Sequence, residues 1–93
     1  MNLIEHFIDG KIMSGNSDRK GKVFNPAIGK QESEVRLGTK KDLDLAVQKA
    51  KKAFETWSNV TPIQRARIMF KYKEIIEKNS DLIAKMIVSE HGK

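Results

Sequence analysis

Thr61-Pro62-Ile63-Gln64-Arg65-Ala66-Arg67-Ile68-Met69-Phe70-Lys71-Tyr72 is the stretch on which the reading of the fold turns. It opens as a helix should: Thr61 as cap, Pro62 at the first helical position, and Gln64 placed to close a capping box. At about 100° per residue, Gln64, Arg67, Lys71, Glu74 and Lys78 form a narrow polar side. Ile63, Ala66, Ile68, Met69, Phe70, Tyr72, Ile75 and Ile76 fill the remainder. The apolar arc exceeds roughly 200°, more than a helix resting on a single core requires. Such a helix expects neighbours on several sides.

The segments on either side are also helical. Asn79-Ser80 breaks the pattern and recaps it, and a third helix carries Leu82, Ile83, Ala84, Met86, Ile87 and Val88 around most of its circumference. Gly92 is placed to end it in a left-handed cap. Upstream, the Thr39 hydroxyl can cap the amide of Asp42, whose carboxylate suits the positive end of a helix. Leu43, Ala46, Val47, Ala50, Ala53, Phe54 and Trp57 then recur at helical spacing in a stripe roughly 120° wide, predicted to be buried. Lys41, Lys49, Lys51 and Lys52 fall outside it. The three alanines permit close approach of a neighbouring element.

The first third reads as strands and turns. Phe7-Ile8 and Lys11-Ile12-Met13 flank Asp9-Gly10, a pair that tolerates the two positive φ angles of a type I′ hairpin turn. A polar loop, Ser14-Gly15-Asn16-Ser17-Asp18, follows. Lys22-Val23-Phe24 then enters Asn25-Pro26-Ala27-Ile28-Gly29, where Pro26 presets φ and Gly29 can turn left-handed. A half-exposed strand returns over Lys30 to Leu37. The expected fold class is therefore α+β, two short β-hairpins followed by three α-helices. The helices carry more apolar circumference than the hairpins can shelter.

Composition removes several functions. Ninety-three residues make one small domain, and a chain of this size buries only about 60–65% of its unfolded surface. It contains no cysteine, which excludes disulfides, thiolate metal sites and a cysteine nucleophile. The net charge of +6 arises from 18 basic and 12 acidic residues spread over polar helix faces, with no basic block interleaved with aromatics. A solvated surface explains this better than a nucleic-acid site, and no nucleic-acid partner is expected. The longest apolar run, Met86-Ile87-Val88, is too short to cross a bilayer, and no membrane partner is expected. Met1-Asn2-Leu3-Ile4-Glu5 lacks the pattern of a secretory signal. The expected location is cytoplasmic, or the mitochondrial matrix if a leader is missing.

Residues with chemical potential are few. Neither G-x-G-x-x-G nor a Walker loop is present. Asp42/Asp44 and Glu32/Glu34 read as helix-start charge and strand surface rather than cation sites. His6 has no clustered partner and reads as a surface or turn residue. His91, just before Gly92, suits a helix C-terminus. Ser89-Glu90-His91 has the residue types of a triad, but adjacent helical residues project about 100° apart and do not converge. Trp57 and Tyr72 read as core or interface.

Five segments in order resemble the beginning of an aldehyde dehydrogenase. They are His6-Phe7-Ile8-Asp9-Gly10-Lys11; Phe24-Asn25-Pro26-Ala27-Ile28-Gly29-Lys30; Asp42-Leu43-Asp44-Leu45-Ala46-Val47 with Ala53-Phe54-Glu55-Thr56-Trp57; Thr61-Pro62-Ile63-Gln64-Arg65-Ala66-Arg67; and Glu90-His91-Gly92-Lys93. Together with Ile68-Met69-Phe70-Lys71-Tyr72-Lys73, the last is most similar to the CoA-acylating methylmalonate-semialdehyde branch. The resemblance implies an early part of the α/β, Rossmann-like NAD-binding domain, incomplete over residues 1–93. It implies NAD as hydride acceptor and coenzyme A as acyl acceptor, with a cysteine nucleophile, and a homo-oligomer in the full-length family. That cysteine, the oxyanion-stabilising asparagine and the residues holding NAD lie beyond the matched segments. The expectation for this chain is thus no catalytic, no cofactor-binding and no metal residue, with the rest of its own chain as partner. A non-acylating relative, a freestanding basic helical interaction module and a small nucleic-acid binder are the alternatives.

Overall fold

Asp9 and Gly10 adopt φ of 57° and 72°, the two positive values of a type I′ turn. They join β2 (His6–Ile8) to β3 (Lys11–Met13) in an antiparallel pair with His6 opposite Met13. The computed structural model describes residues 2–92; Lys93, which ends the last family-like segment, lies outside the described residues, as does Met1. The second hairpin pairs β4 (Lys20–Asn25) with β5 (Lys30–Arg36), with a register irregularity between Val23 and Phe24. Its turn closes as the amide of Gly29, at φ 65°, donates to the carbonyl of Asn25 at 2.8 Å. The Asn25 side chain accepts from the amide of Ala27 at 3.0 Å, an Asx turn.

The sheet corrects one expectation. Besides the two hairpins there is a further strand, β1 (Asn2–Ile4), parallel to β5 with Leu3 opposite Glu34. The three-stranded sheet has the order β1-β5-β4, so β5 is central rather than the outer arm of a hairpin. A three-residue strand pairing with a partner some thirty residues away carries no local periodicity, and the β2–β3 hairpin intervenes.

The helices begin and end where caps place them. α1 (Lys40–Trp57) starts at Thr39 and α2 (Pro62–Lys78) at Thr61, each with a complete capping box closed by Asp42 and Gln64 respectively. α3 (Ser80–His91) ends at Gly92, φ 70°. Asn79 separates α2 from α3 but does not cap α3 through its side chain. Its Nδ2 instead donates back to the carbonyl of Ile75 at 2.8 Å, so it closes α2 and leaves α3 to start without a side-chain cap.

Among the described residues no apolar side chain is buried. The predicted burial of the α1 stripe is therefore corrected: Leu43 is 62% and Phe54 66% exposed. Trp57 and Tyr72 are likewise exposed and form no core. On α2 the apolar side chains range from 38% exposed at Ile76 to 68% at Ile63. The overall shape accounts for this. Principal extents of 47 × 35 × 15 Å describe a slab about one layer thick, whereas a stable core lies between two packed layers. The radius of gyration is 17.0 Å, against about 12 Å for a globular chain of this length. The accessible surface is 7919 Å², where a folded monomer of this mass exposes about 5,500 Å².

Candidate functional site

The buried groups are polar, and they gather where the β2–β3 hairpin, the Ser14–Asp18 loop, β5 and the start of α1 meet. Ser17 and Asp42 are the two buried residues among those described, each 7% exposed. Asp42 is a hub. Its Oδ2 accepts the Thr39 amide at 2.9 Å, closing the capping box. Its Oδ1 accepts the Asn16 side-chain amide at 2.8 Å, and both oxygens are approached by the Asn16 backbone N–H at 3.3 and 3.4 Å. His6 Nε2 lies 3.4 Å from Oδ2.

A second carboxylate serves the other side of the loop. Arg36 Nε donates to Glu5 Oε1 at 2.6 Å and Oε2 at 3.0 Å, and Arg36 Nη1 donates to the Ser17 carbonyl at 2.6 Å. Glu5 Oε2 also accepts the Gly15 amide at 3.0 Å. The loop is thus tied by side chains 10 to 26 positions away, with one local turn in which the Ser17 hydroxyl accepts the Arg19 amide at 2.9 Å.

Both carboxyls are held below their ordinary range. For Glu5 the Arg36 hydrogen bond is the main cause, opposed by burial and aided by the Gly15 amide. For Asp42 it is the Thr39 amide, again opposed by burial, with the Thr39 hydroxyl and Asn16 adding to it.

The other residues with chemical potential do not come together. Asp44 is exposed while Asp42 points into the junction. Glu32 accepts from the Asn25 side chain at 3.1 Å on the sheet surface. Ser89 Oγ donates to the carbonyl of Met86 at 2.8 Å, a local helix contact, and His91 is exposed at the end of α3. No grouping of three or more His, Cys, Asp or Glu side chains able to hold a metal occurs among the described residues. No described helix is long and apolar enough to cross a membrane.

His6 departs from the surface-residue reading. Its side chain is 22% exposed, with Nε2 fully enclosed. Sequence reasoning missed the junction because its members, Glu5, His6, Asn16, Arg36 and Asp42, are isolated polar residues with no shared spacing. The one local signal was Thr39-x-x-Asp42, which marked the helix start but not its tertiary partners.

Two open grooves flank these elements. One, of about 550 Å³, runs between the hairpin and α1 past Phe7, Ile8, Ala46, Lys49 and Ala50. The other, of about 470 Å³, lies against α3 at Asn25, Asp81, Lys85 and Ser89. In the second, the Ser89 hydroxyl donates to the Met86 carbonyl. A dinucleotide needs a glycine-rich turn and an open helix N-terminus for its pyrophosphate. Here the first turn of α1 holds the Asp42 carboxylate and that of α2 is closed by Thr61 and Gln64. Among the described residues no glycine-rich turn leads into α1, α2 or α3.

A strand-rich start, an Asp-Gly hairpin and three successive helices make a mixed α/β segment whose apolar faces are uncovered among the described residues. The chain belongs to the aldehyde dehydrogenase family, whose family model matches residues 12–93. Within it, the chain is 40% identical over 91 residues to a malonate-semialdehyde dehydrogenase of Bacillus pumilus, covering 98% of this chain and 19% of that one. A solved structure from Sinorhizobium meliloti 1021, assigned as a methylmalonate-semialdehyde dehydrogenase and complexed with NAD, superposes with a TM-score of 0.95 at 38% identity. It covers 98% of this chain and 18% of that one. The methylmalonate-semialdehyde dehydrogenase of Oceanimonas doudoroffii gives 0.93 at 40% identity, with the same coverage. The chain therefore spans about a fifth of the length of the relatives it matches.

Proposed function

We propose that this chain is the N-terminal structural segment of an NAD-dependent, CoA-acylating (methyl)malonate-semialdehyde dehydrogenase, without catalytic, cofactor-binding or metal-ligating residues of its own. The observation that carries this reading is α2. It occupies a backbone that superposes on aldehyde dehydrogenases, yet its apolar residues lie open to solvent on every side. An arc of that width fits a helix covered by the remainder of a larger protein. The names of the relatives support the substrate class, an aldehyde bearing a carboxylate; malonate and methylmalonate semialdehydes both occur among them. In the whole enzyme NAD supplies hydride acceptance and coenzyme A takes the acyl group. This segment contributes outer strands and early helices of the NAD-binding domain, in a cytoplasmic or mitochondrial-matrix homo-oligomer.

The test has two arms. Reading the coding sequence beyond codon 93 is expected to show a dehydrogenase with a cysteine nucleophile. The purified 93-residue chain is expected neither to bind NAD in calorimetry nor to reduce it with malonate semialdehyde. Turnover by the isolated chain would overturn the reading.

A further inference from the structure

His6 is enclosed at the point where the hairpin meets α1. A Cβ added to Gly15 would sit 2.7 Å from its Nε2, Gly38 lies near its Cε1, and the Asp42 carboxylate faces Nε2 at 3.4 Å. Nε2 has no accessible surface and makes no hydrogen bond; the Asp42 carboxylate is the charged group it faces. The charged groups around the ring are Asp42, Glu5 and Arg36. The Arg36 guanidinium is committed to Glu5 and the Ser17 carbonyl, so it offers Asp42 no proton. An unprotonated Nε2 would set a lone pair beside a carboxylate oxygen in an enclosed space, acceptor against acceptor. A proton on Nε2 turns the same contact into a charge-assisted attraction.

We infer that His6 carries a proton on Nε2 and directs it to Asp42, making it the latch that fastens the β2–β3 hairpin to the N-terminus of α1. Asp42 already ties α1 to the Ser14–Asp18 loop through Asn16. The latch adds the hairpin to the same carboxylate, so one side chain holds three segments in register. The other ionic link between hairpin and helix among the described residues, Lys49 to Asp9 at 3.6 Å, is exposed and correspondingly weak. The device depends on polar groups alone and so needs no cover on the apolar faces.

The experiment is nitrogen-15 NMR of the histidine-labelled 93-residue chain at neutral pH in dilute solution, with amide hydrogen exchange at Asn16 and Thr39. Nε2 of His6 is expected to show the pyrrole-type shift of a protonated nitrogen. His6→Gln, whose amide nitrogen reaches the Nε2 position, is expected to retain amide protection. His6→Asn and His6→Leu, which lack a donor there, are expected to exchange about tenfold faster, the effect of one unmade hydrogen bond. A pyridine-type Nε2 would overturn the inference, as would equal exchange in all three variants. So would collapse of the hairpin resonances in the wild-type chain.

Discussion

The strand half and the helical half of this chain are stabilised in opposite ways. Residues 2–42 hold their shape through specific polar contacts: two carboxylates each gather donors from distant segments, and their pairing with Arg36, Asn16 and His6 fixes a loop that has no regular structure. α2 and α3 have local caps and helical hydrogen bonds but almost no tertiary partners for their apolar side chains. Polar contacts specify geometry while contributing little net stability, because each replaces a contact with water. Apolar faces supply stability only when covered. One half therefore has a defined shape without a core, and the other has the material of a core without a partner.

The comparison is broken most severely at Asp42. Asp42→Ala removes the acceptor for the Thr39 amide, the Asn16 side chain and the His6 contact together. The expected outcome is complete loss of exchange protection at Asn16 and Thr39, with α2 and α3 unchanged by the same measurement. Acid should reproduce it. Asp42 and Glu5 titrate below their unfolded values in the folded chain. Their stabilisation is thus fully present above the unfolded carboxylate range, about pH 4, and is lost as pH falls through the lower folded values. A pH series read by exchange should therefore open the junction in acid before the helical signal in circular dichroism changes. Simultaneous loss of both would contradict the division.

Gly15→Ala strikes the same junction by steric means. The added Cβ would lie 2.6 Å from Arg36 Cδ and 2.7 Å from His6 Nε2, displacing both side chains. Overpacking of this kind costs about 1–3 kcal/mol, to be read as a lowered urea midpoint for the hairpin signals. By contrast, Gly38 has only a distant neighbour at 3.9 Å, so Gly38→Ala should be tolerated much better.

The two halves also differed in how far they could be read from sequence. Thr39, Thr61, Pro62 and Gly92 mark helix ends through contacts spanning three or four residues, and the structure places α1, α2 and α3 within them. Asp9-Gly10 marked its hairpin for the same reason. What escaped was everything non-local. β1 pairs in parallel across the intervening hairpin, and Glu5 meets Arg36 across 31 positions. No periodicity links such residues, so isolated charges read as surface. The wide apolar arcs of the helices were legible, but the α1 stripe, read as buried, lies open. Amphipathicity identifies the face that needs covering and is silent on whether the same polypeptide provides the cover.

Thr61→Ala sharpens the helical side of the comparison. The Thr61 hydroxyl accepts the Gln64 amide at 3.3 Å, and Gln64 returns the contact to the Thr61 amide. Loss of such a cap costs about 1 kcal/mol. Because α2 has little tertiary packing, the cost should fall on local helicity, as a smaller mean-residue ellipticity and fraying of the first turn. The junction amides at Asn16 and Thr39 should exchange as in the wild type, and acceleration there would show coupling between the first turn of α2 and the junction.

Phe70→Glu should have the smallest effect on the isolated chain. Phe70 is 67% exposed and shares a face of α2 with Ile63 and Ala66. Replacing an exposed side chain changes stability by about 0.5 kcal/mol or less, and glutamate is at least as good a helix former as phenylalanine. The melting behaviour of the lone chain should therefore be unchanged, while self-association in sedimentation or light scattering should decrease because an apolar patch has been interrupted. If the face is covered in a complete dehydrogenase, the same substitution there must bury a charge against apolar surface, and neutralising or solvating that charge costs several kcal/mol. The full-length protein carrying Phe70→Glu should accordingly fail to accumulate in soluble form. Equal tolerance in both contexts would mean that this face of α2 remains in water in the complete protein, and that its apolar surplus is not the imprint of a missing layer.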